Sequence, residues 1–200
     1  TETITFFTRV PLSKFFLSGT WNPTGSSPEF GIWALIIGTL KITVIATIVA
    51  VPIGLGAAIY LNEYASDRSR RIIKPILEIL AGIPTIVFGF FALTFVTPIL
   101  RNLIPNLGEF NSISPGIVVG IMIVPMITSM SEDAMSSVPD KIREGAFGLG
   151  ATKFEVATKV VLPAATSGVV ASIVLGISRA IGETMIVSLA AGSSPTSSLS

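Results

Sequence analysis

An arginine and a glutamate lie close together inside a long apolar stretch near the end of the chain. Arg179 follows fifteen uncharged residues, 164–178, and Glu183 comes four residues later, just before the apolar segment "IVSLAAG". An ionised side chain in the middle of a membrane helix costs roughly 2.5 to 3.5 kcal/mol. On one continuous helix, residues four apart lie on the same face, so the sequence predicts that Arg179 and Glu183 can reach each other.

The chemistry of this pair is that of an anion site. A guanidinium is a planar fork that matches the oxygens of a tetrahedral oxyanion. A carboxylate can accept a hydrogen bond from the P–OH group of hydrogen phosphate but repels fully ionised sulfate, which favours phosphate. We therefore predict a substrate-binding site formed by Arg179, Glu183, Thr184 and Ser178. Two alternatives stay open: the pair fixes helix packing, or Glu183 only restrains Arg179.

The composition predicts a membrane protein. Half of the 200 residues are hydrophobic, only 12% are charged, and the mean hydropathy is +0.78. Soluble domains carry about 25% charged residues, so this chain has too few to cover a water-facing surface. The net charge of +1 indicates no nucleic-acid partner. The absence of cysteine and histidine excludes disulfides, Cys/His zinc sites and Ser-His or Cys-His catalysis, and we expect no metal site.

Apolar runs long enough to cross a bilayer predict an all-α transmembrane bundle of about four spans, at 33–61, 79–100, 113–131 and 164–192. The connectors after the first and third runs hold eight basic residues, against three on the opposite side. Basic loops stay in the cytoplasm. We therefore expect an external segment 1–32, a transmembrane domain 33–192 with a cytoplasmic loop 132–163, and an external polar loop 193–200.

The cytoplasmic loop contains signals for two short helices. Asp140 is a candidate cap for a helix over 141–149, and Gly150 can end that helix in a left-handed conformation. Thr152 and Glu155 have the spacing of a capping box, which predicts a second helix to about Val161. Leu162 and Pro163 are then expected to stop it and turn the chain into the fourth span.

The apolar side chains of this helix pair favour docking into a cleft of a cytoplasmic partner. The alternative is an amphipathic linker on the lipid surface, but such linkers usually have a strongly basic face, whereas the charges here nearly cancel. The segment "GAFGLGAT" has the glycine spacing of a P-loop, yet Ala151 stands where the lysine is required, so we expect no ATP on this chain.

The stretch "EGAFGLGATKFEVATKVVLP", residues 144–163, resembles the cytoplasmic signature of the membrane subunits of ATP-binding-cassette (ABC) importers. All spacings match, with Gly145 replacing an alanine and Val160 replacing an isoleucine. The resemblance implies that this loop is the coupling helix, which seats in a groove of an ATPase subunit that itself binds ATP-Mg. The implied coupling residues are Glu144, Gly145, Ala146, Gly150, Leu162 and Pro163.

The segment "LGISRAIGETMIV", with the motifs upstream of it, resembles the C-type (PstC-like) permease subunits of bacterial phosphate importers over about 19–192. In sulfate and molybdate permeases the stretch is more like Arg-Ala-x-Gly-Glu-Phe-Gly. The resemblance implies a type I ABC importer permease fold with six spans, two of them outside this sequence, in a multi-pass protein of the bacterial plasma (inner) membrane. It also implies a non-enzymatic subunit whose partners are a second permease, two ATPase subunits, an external phosphate-binding protein and membrane lipid.

Other functions remain open at this point. A permease of the same class for sulfate, molybdate or tungstate is the nearest. An intramembrane enzyme with Glu183 as acid or base would need a second titratable group, for which Glu78 is the candidate. A channel is the third, and the coupling signature argues against it. Lys41, inside the first run, has no assigned role.

Overall fold

The computed structural model describes residues 15–16, 18–22, 29–105 and 107–191, and these are mainly helical. The strands in this part of the chain form one antiparallel pair, β1 (Trp21–Asn22) and β2 (Glu29–Phe30). Trp21 lies opposite Phe30 in the register, and the two rings meet edge to face with their centroids 5.7 Å apart. This pair directly precedes the first long helix.

The helices follow one another with short breaks, and several α-helices continue directly into π-helical segments. In chain order the elements are α1 (Ile32–Ile59), a π-helical segment (Tyr60–Tyr64), α2 (Asp67–Ala81), α3 (Thr85–Phe91), a π-helical segment (Ala92–Val96), α4 (Thr97–Leu103), α5 (Ile113–Ser136), α6 (Asp140–Gly148), α7 (Lys153–Glu155), a π-helical segment (Val156–Val161), α8 (Leu162–Ala164), α9 (Thr166–Ile181) and α10 (Met185–Ala190).

In the part of the chain that the structure describes, three helical stretches are long and apolar enough to cross a membrane: Ile32–Tyr64, Thr85–Leu103 and Ile113–Ser136. They confirm the first three predicted spans, with one shift. The second span begins at Thr85 rather than at residue 79, because α2 occupies residues 79–81 and the chain turns before Thr85. Among the described residues, a fourth span is present only if Lys153–Ala164 and Thr166–Ile181, which meet at a bend of 75°, are counted together.

The predicted continuous helix over 164–192 is wrong. α9 ends at Ile181, Gly182 caps it, and α10 starts only at Met185. The Glu183 carboxylate accepts hydrogen bonds from the amides of Met185 and Ile186, at 3.1 and 3.2 Å. A side chain that bonds to nearby backbone amides offers the chain an alternative to a continuous helix, and glycine has a poor helix propensity. Both effects favour a break here.

Contacts divide the chain into two compact units. Unit one comprises the described residues of 1–45, 85–118 and 183–200. The predicted external loop 193–200, and most of the predicted external segment 1–32, lie outside the described residues. Within it α3 packs against α10, with Gly89 facing Leu189 and Ile186. The buried side chain of Asn111 accepts hydrogen bonds from the amides of Ile113 and Ser114 and so caps the start of α5.

Unit two comprises 46–84 and 119–182. Its core joins α1 and α5 to the segments that follow α6, through the buried side chains of Ala58, Met135, Val138, Val156, Val161, Ala165 and Val169. Small and hydroxylated residues let the helices approach closely, as is usual between membrane helices. Ser131 and Ser172 share a buried hydrogen bond of 2.7 Å, and Thr128 donates one of 3.2 Å to the Gly54 carbonyl.

At Gly120 the backbone of α5 lies close to α1, and replacement of this glycine tests the packing. A Cβ at residue 120 would lie 2.9 Å from Cβ of Val49 and 3.0 Å from the carbonyl oxygen of Ala46. We expect Gly120→Ala to lower stability by roughly 1–3 kcal/mol, because an overpacked backbone contact has to open. Gly56→Ala is the matched control, since a Cβ there has no neighbour within 4 Å. Thermal unfolding of the full-length subunit in detergent measures both, and equal shifts would contradict the packing.

Candidate functional site

Arg179 lines a cavity of about 320 Å³ within unit two. The residue lies in the last turn of α9, where the negative end of the helix dipole favours a cation. The other polar side chains of the lining are Lys74, Glu78, Ser129 and Glu132, and the rest of the lining is apolar. The Arg179 side chain is exposed in this chain rather than sealed in the core. It is therefore accessible from a cavity that a small ligand can enter.

The other three predicted substrate ligands are placed differently. Ser178 is exposed beside Arg179 on α9, and its carbonyl accepts a hydrogen bond from the Gly182 amide. Glu183 and Thr184 lie after the helix break, so the predicted pairing of Arg179 and Glu183 on one helical face is wrong. The Glu183 carboxylate instead accepts from the first two amides of α10, and in the described part of the chain both of these hydrogen bonds fall on one oxygen, Oε1. Thr184 is exposed, and its carbonyl accepts from Ser188.

A buried carboxylate that the sequence analysis did not single out lies beside Arg179 in the same cavity lining. Glu132, near the end of α5, is 1% exposed, with Lys74 Nζ at 2.5 Å and Arg70 Nη2 at 3.5 Å. A buried carboxylate is tolerated when cations compensate its charge. The hydrogen bond from Lys74 to Glu132 is the main cause that raises the pKa of Lys74. Lys74 and Glu132 thus contribute a neutralised pair to the cavity.

The helix that supplies these cations, α2, lies in the region that the sequence predicts to be a basic connector. Ser66 caps it by accepting a hydrogen bond from the Ser69 amide. Lys74 and Glu78, four residues apart, both line the cavity. Exposed isoleucines follow the opposite face at Ile72, Ile76 and Ile79. This spacing of isoleucines was the available signal, because apolar residues at helical intervals predict an amphipathic helix.

The second candidate site is the helix pair after α5. α6 begins at Asp140, but the cap residue is Pro139, so the predicted capping role of Asp140 is wrong. Its carboxylate lies instead 3.8 Å from Arg143 in the first turn. Gly150 has φ +87°, which confirms the predicted left-handed end of the first helix. An L-residue with a Cβ is strained in that conformation.

The capping box at the start of the second helix is confirmed. Thr152 Oγ1 accepts from the Glu155 amide at 3.3 Å, and Glu155 Oε2 accepts from the Thr152 amide at 3.1 Å. The helix does not stop at Leu162–Pro163 as predicted but continues to Ala164, with the bend at Ala165. A proline fits there because it stands in the first turn of α8, where a missing N–H is tolerated.

The predicted coupling residues form part of an open apolar surface. Glu144, Gly145, Gly150 and Pro163 are exposed, whereas Ala146 and Leu162 pack against the core of unit two. Around them four large apolar side chains face outward: Ile142, Phe147, Leu149 and Phe154. Leu149 is 90% exposed. Clustered apolar exposure of this kind marks an interaction surface.

Comparison with known proteins identifies the family. Residues 50–200 match the family described as binding-protein-dependent transport system inner membrane component. The chain belongs to this family. The description places its members in the inner membrane, and the three apolar helical stretches agree with a membrane protein. The helix pair and the Arg179 cavity both lie inside the matched region.

Relatives of 37–38% sequence identity are permease proteins of ABC and phosphate transport systems. The chain is 38% identical over 180 residues to the probable ABC transporter permease protein YqgH of Bacillus subtilis, covering 90% of this chain and 58% of YqgH. It is 37% identical over 200 residues to the phosphate transport system permease protein PstC of Haemophilus influenzae, with 90% and 63% covered. It is also 38% identical over 198 residues to the phosphate transport system permease protein PstC of Pasteurella multocida, covering 90% of this chain and 61% of that PstC. The chain thus spans about three fifths of these relatives.

The fold is that of type I ABC importer permeases. A chain of the MetNI methionine ABC transporter, solved in inward-facing conformations, aligns with a TM-score of 0.67 and 21% identity over 80% of this chain and 76% of that chain. A second crystal form of the same transporter aligns with a TM-score of 0.63 and 22% identity, over 76% and 71% of the two chains. At this identity the likeness shows the fold alone.

The effect of pH on the helix that Thr152 caps tests the role of the Glu155 carboxylate in the capping box. The segment Lys153–Ala164 carries three charged residues, as expected outside the apolar spans. The hydrogen bond from the Thr152 amide, followed by those from Lys159 and the Thr152 hydroxyl, lowers the pKa of Glu155 to about 2. A lowered pKa stabilises the folded state above the ordinary value of about 4.3, and that contribution disappears as the pH falls from there towards 2.

We therefore expect the protection of amides 153–160 from hydrogen exchange, corrected for the intrinsic rate, to decrease between pH 5 and about pH 3. Glu155→Gln should remove this pH dependence, because the variant has no carboxyl group to titrate. Glu109→Gln, which changes an exposed carboxylate in unit one, is the control. The same pH dependence in Glu155→Gln as in the wild type would contradict this assignment.

Proposed function

We propose that the full-length protein is the permease subunit of an ATP-driven importer that moves inorganic phosphate across the bacterial plasma membrane by alternating access. The observation that carries the proposal is the Arg179 guanidinium in the lining of a cavity, in a chain whose relatives include phosphate transport permeases. The partners we propose are a second permease, two ATPase subunits that bind ATP-Mg, and an external phosphate-binding protein.

Arg179 is the cation that we assign to the substrate. Lys74, the other cation in the cavity lining, is engaged by Glu132 at 2.5 Å. In the part of the chain that the structure describes, no ion pair engages Arg179. Its fork is therefore available to a tetrahedral oxyanion, which it can hold through two parallel hydrogen bonds.

Glu183, Thr184 and Ser178 remain predicted ligands. Among the described residues, both hydrogen bonds of the Glu183 side chain fall on Oε1, which leaves Oε2 to accept from the P–OH group of hydrogen phosphate. Sulfate has no such donor at neutral pH, so the carboxylate would repel it. In this role Glu183 selects the substrate, and Arg179 supplies the attraction.

The helix pair is the part of the chain that we propose to contact the ATPase. Its apolar side chains, with Leu149 the most exposed, suit a groove of a cytoplasmic subunit. Residues 144–163 are joined to the core of unit two through Ala146 and Leu162. ATP binding and hydrolysis in the partner would change which of two conformations is favoured, and so switch access between the two sides of the membrane.

Substitution of Arg179 tests the substrate assignment. We expect Arg179→Gln to lower ATP-dependent phosphate uptake about 100-fold, because charge-assisted hydrogen bonds to the anion are lost. Arg179→Lys keeps the charge but not the planar fork, so its uptake should be intermediate. Uptake of radiolabelled phosphate into proteoliposomes measures this, with competition by sulfate and molybdate to define the anion.

Arg101→Gln, which removes an exposed arginine at the end of α4, serves as the control. The variants are compared at equal amounts of assembled complex. Wild-type uptake by the Arg179→Gln complex would refute the assignment of the site, and inhibition by sulfate as strong as by phosphate would refute the substrate.

The left-handed residue between the two helices gives a test of coupling. Gly150→Ala places a Cβ at φ +87° and should cost roughly 1–2 kcal/mol locally, which changes the angle between the helices. Gly148→Ala is the matched control, because both positions have open space around a Cβ and only Gly150 has a positive φ. We expect Gly150→Ala to hydrolyse more ATP per phosphate imported than Gly148→Ala. An equal ratio in the two variants would show that this turn does not transmit the coupling.

A further inference from the structure

A single side chain of α6 joins the helix pair to the ends of two membrane helices. The Arg143 guanidinium forms an ion pair with Glu63 and donates to Asn62 Oδ1 at 3.0 Å, both in the π-helical segment that ends the first span. Its second terminal nitrogen donates to the carbonyl oxygen of Met135, at the end of α5, at 2.6 Å. The Arg143 side chain is 14% exposed, so these contacts are largely shielded from water.

The contacts continue from Asn62 to the cavity lining. The side-chain Nδ2 of Asn62 donates to Ser136 Oγ at 2.8 Å, and Ser136 Oγ donates to Glu132 Oε1 at 3.2 Å. Glu132 in turn pairs with Lys74, and both residues line the cavity that contains Arg179. A continuous set of polar contacts therefore leads from α6 to the proposed substrate cavity. We call the set Arg143–Asn62–Ser136–Glu132–Lys74 the polar relay.

The π-helical segment at the end of the first span is held by cations from other helices. Arg70 of α2 donates to the carbonyl oxygens of Leu61 and Asn62, at 2.8 and 3.4 Å. Arg143 of α6 binds the side chains of Asn62 and Glu63. Carbonyl groups at a helix end have no partner within the helix, so these contacts decide where the end of the span lies. π-Helical turns are often found at functional sites.

Stability alone does not account for this arrangement. Buried ion pairs are often no more stabilising than apolar residues of similar volume, because both charges must be desolvated. The same region already has an apolar core, in which Ala146 of α6 packs. The guanidinium instead fixes the orientation of α6, because its hydrogen bonds form only when α6 has a defined position relative to Glu63 and to the carbonyl of Met135.

We infer that Arg143 is a positioning residue for transport, which transmits movement of the helix pair through the polar relay to Glu132 and Lys74 in the cavity lining. The inference rests on the proposed function, because it assumes that the helix pair is moved by an ATPase. It goes beyond that function by naming the side chains that connect the helix pair to the cavity.

The experiment uses the complete transporter, with all subunits and the full-length permease, in proteoliposomes. ATP hydrolysed and phosphate imported are measured at equal amounts of assembled complex, and their ratio is the readout. Arg143→Gln breaks the first contacts, and Arg68→Gln, which removes an exposed arginine of α2, is its control. Ser136→Ala removes one hydroxyl from the middle of the relay. Ser137→Ala is its matched control, because the Ser137 hydroxyl donates only to the nearby Ala134 carbonyl.

We expect Arg143→Gln to raise the ratio of ATP hydrolysed to phosphate imported about tenfold, and Ser136→Ala to raise it severalfold, with both controls unchanged. Arg143→Lys should not restore coupling, because an ammonium cannot reproduce the fork that contacts three acceptors. A purely structural role would instead lower the amount of complex and leave the ratio as in the wild type, and that result would overturn the inference.

If Arg143→Gln does not assemble, Ser136→Ala decides alone, and a ratio equal to that of Ser137→Ala overturns the inference. The proposed function is tested separately by the wild-type complex in the same assay. Absence of ATP-dependent phosphate uptake there refutes the proposed function, whereas uptake with unaltered coupling in the variants refutes only the role of the relay.

Discussion

The pairing of the buried Glu132 carboxylate determines much of unit two. A carboxylate that is 1% exposed must be compensated by cations of the same chain, and Lys74 and Arg70 of α2 supply them. α2 therefore turns its charged face inward and leaves its isoleucines exposed, as expected for a helix beside lipid or another apolar surface. The same inward face lines the cavity with Lys74 and Glu78. One charge thus orients a helix and gives the cavity its polar wall.

A helix break lies between the two residues that first suggested a substrate site, Arg179 and Glu183. A continuous helix would have brought Arg179 and Glu183 together and neutralised both. Because the helix breaks after Ile181, Glu183 accepts hydrogen bonds from the amides of α10. Arg179 is left at the carboxyl end of α9, in the lining of a cavity. The cost of a charge in an apolar helix is lowered when the side chain reaches a polar or water-filled space. The break therefore makes Arg179 both tolerable and available.

Local signals in the sequence predicted most of the helix pair, with one local cap misassigned and one set of contacts distant in sequence missed. The left-handed Gly150 and the capping box of Thr152 and Glu155 depend on residues at most three apart, so the chain encodes them locally. The cap at Asp140 was misassigned because Pro139 already occupies the cap position. The contacts of Arg143 could not be predicted, since Asn62 and Glu63 lie about eighty residues away in the chain.

The sequence by itself determined the class of protein, the first three apolar spans, and the left-handed Gly150 and capping box of the helix pair, because hydrophobic length and caps are local properties. Only the tertiary structure decided which charges meet. Nothing in the order of residues shows that Lys74 neutralises Glu132 rather than binding a ligand, or that Arg179 faces a cavity. A buried charge is compensated by the polar or charged groups that lie within a few ångströms of it, and the packing of the helices determines which groups these are.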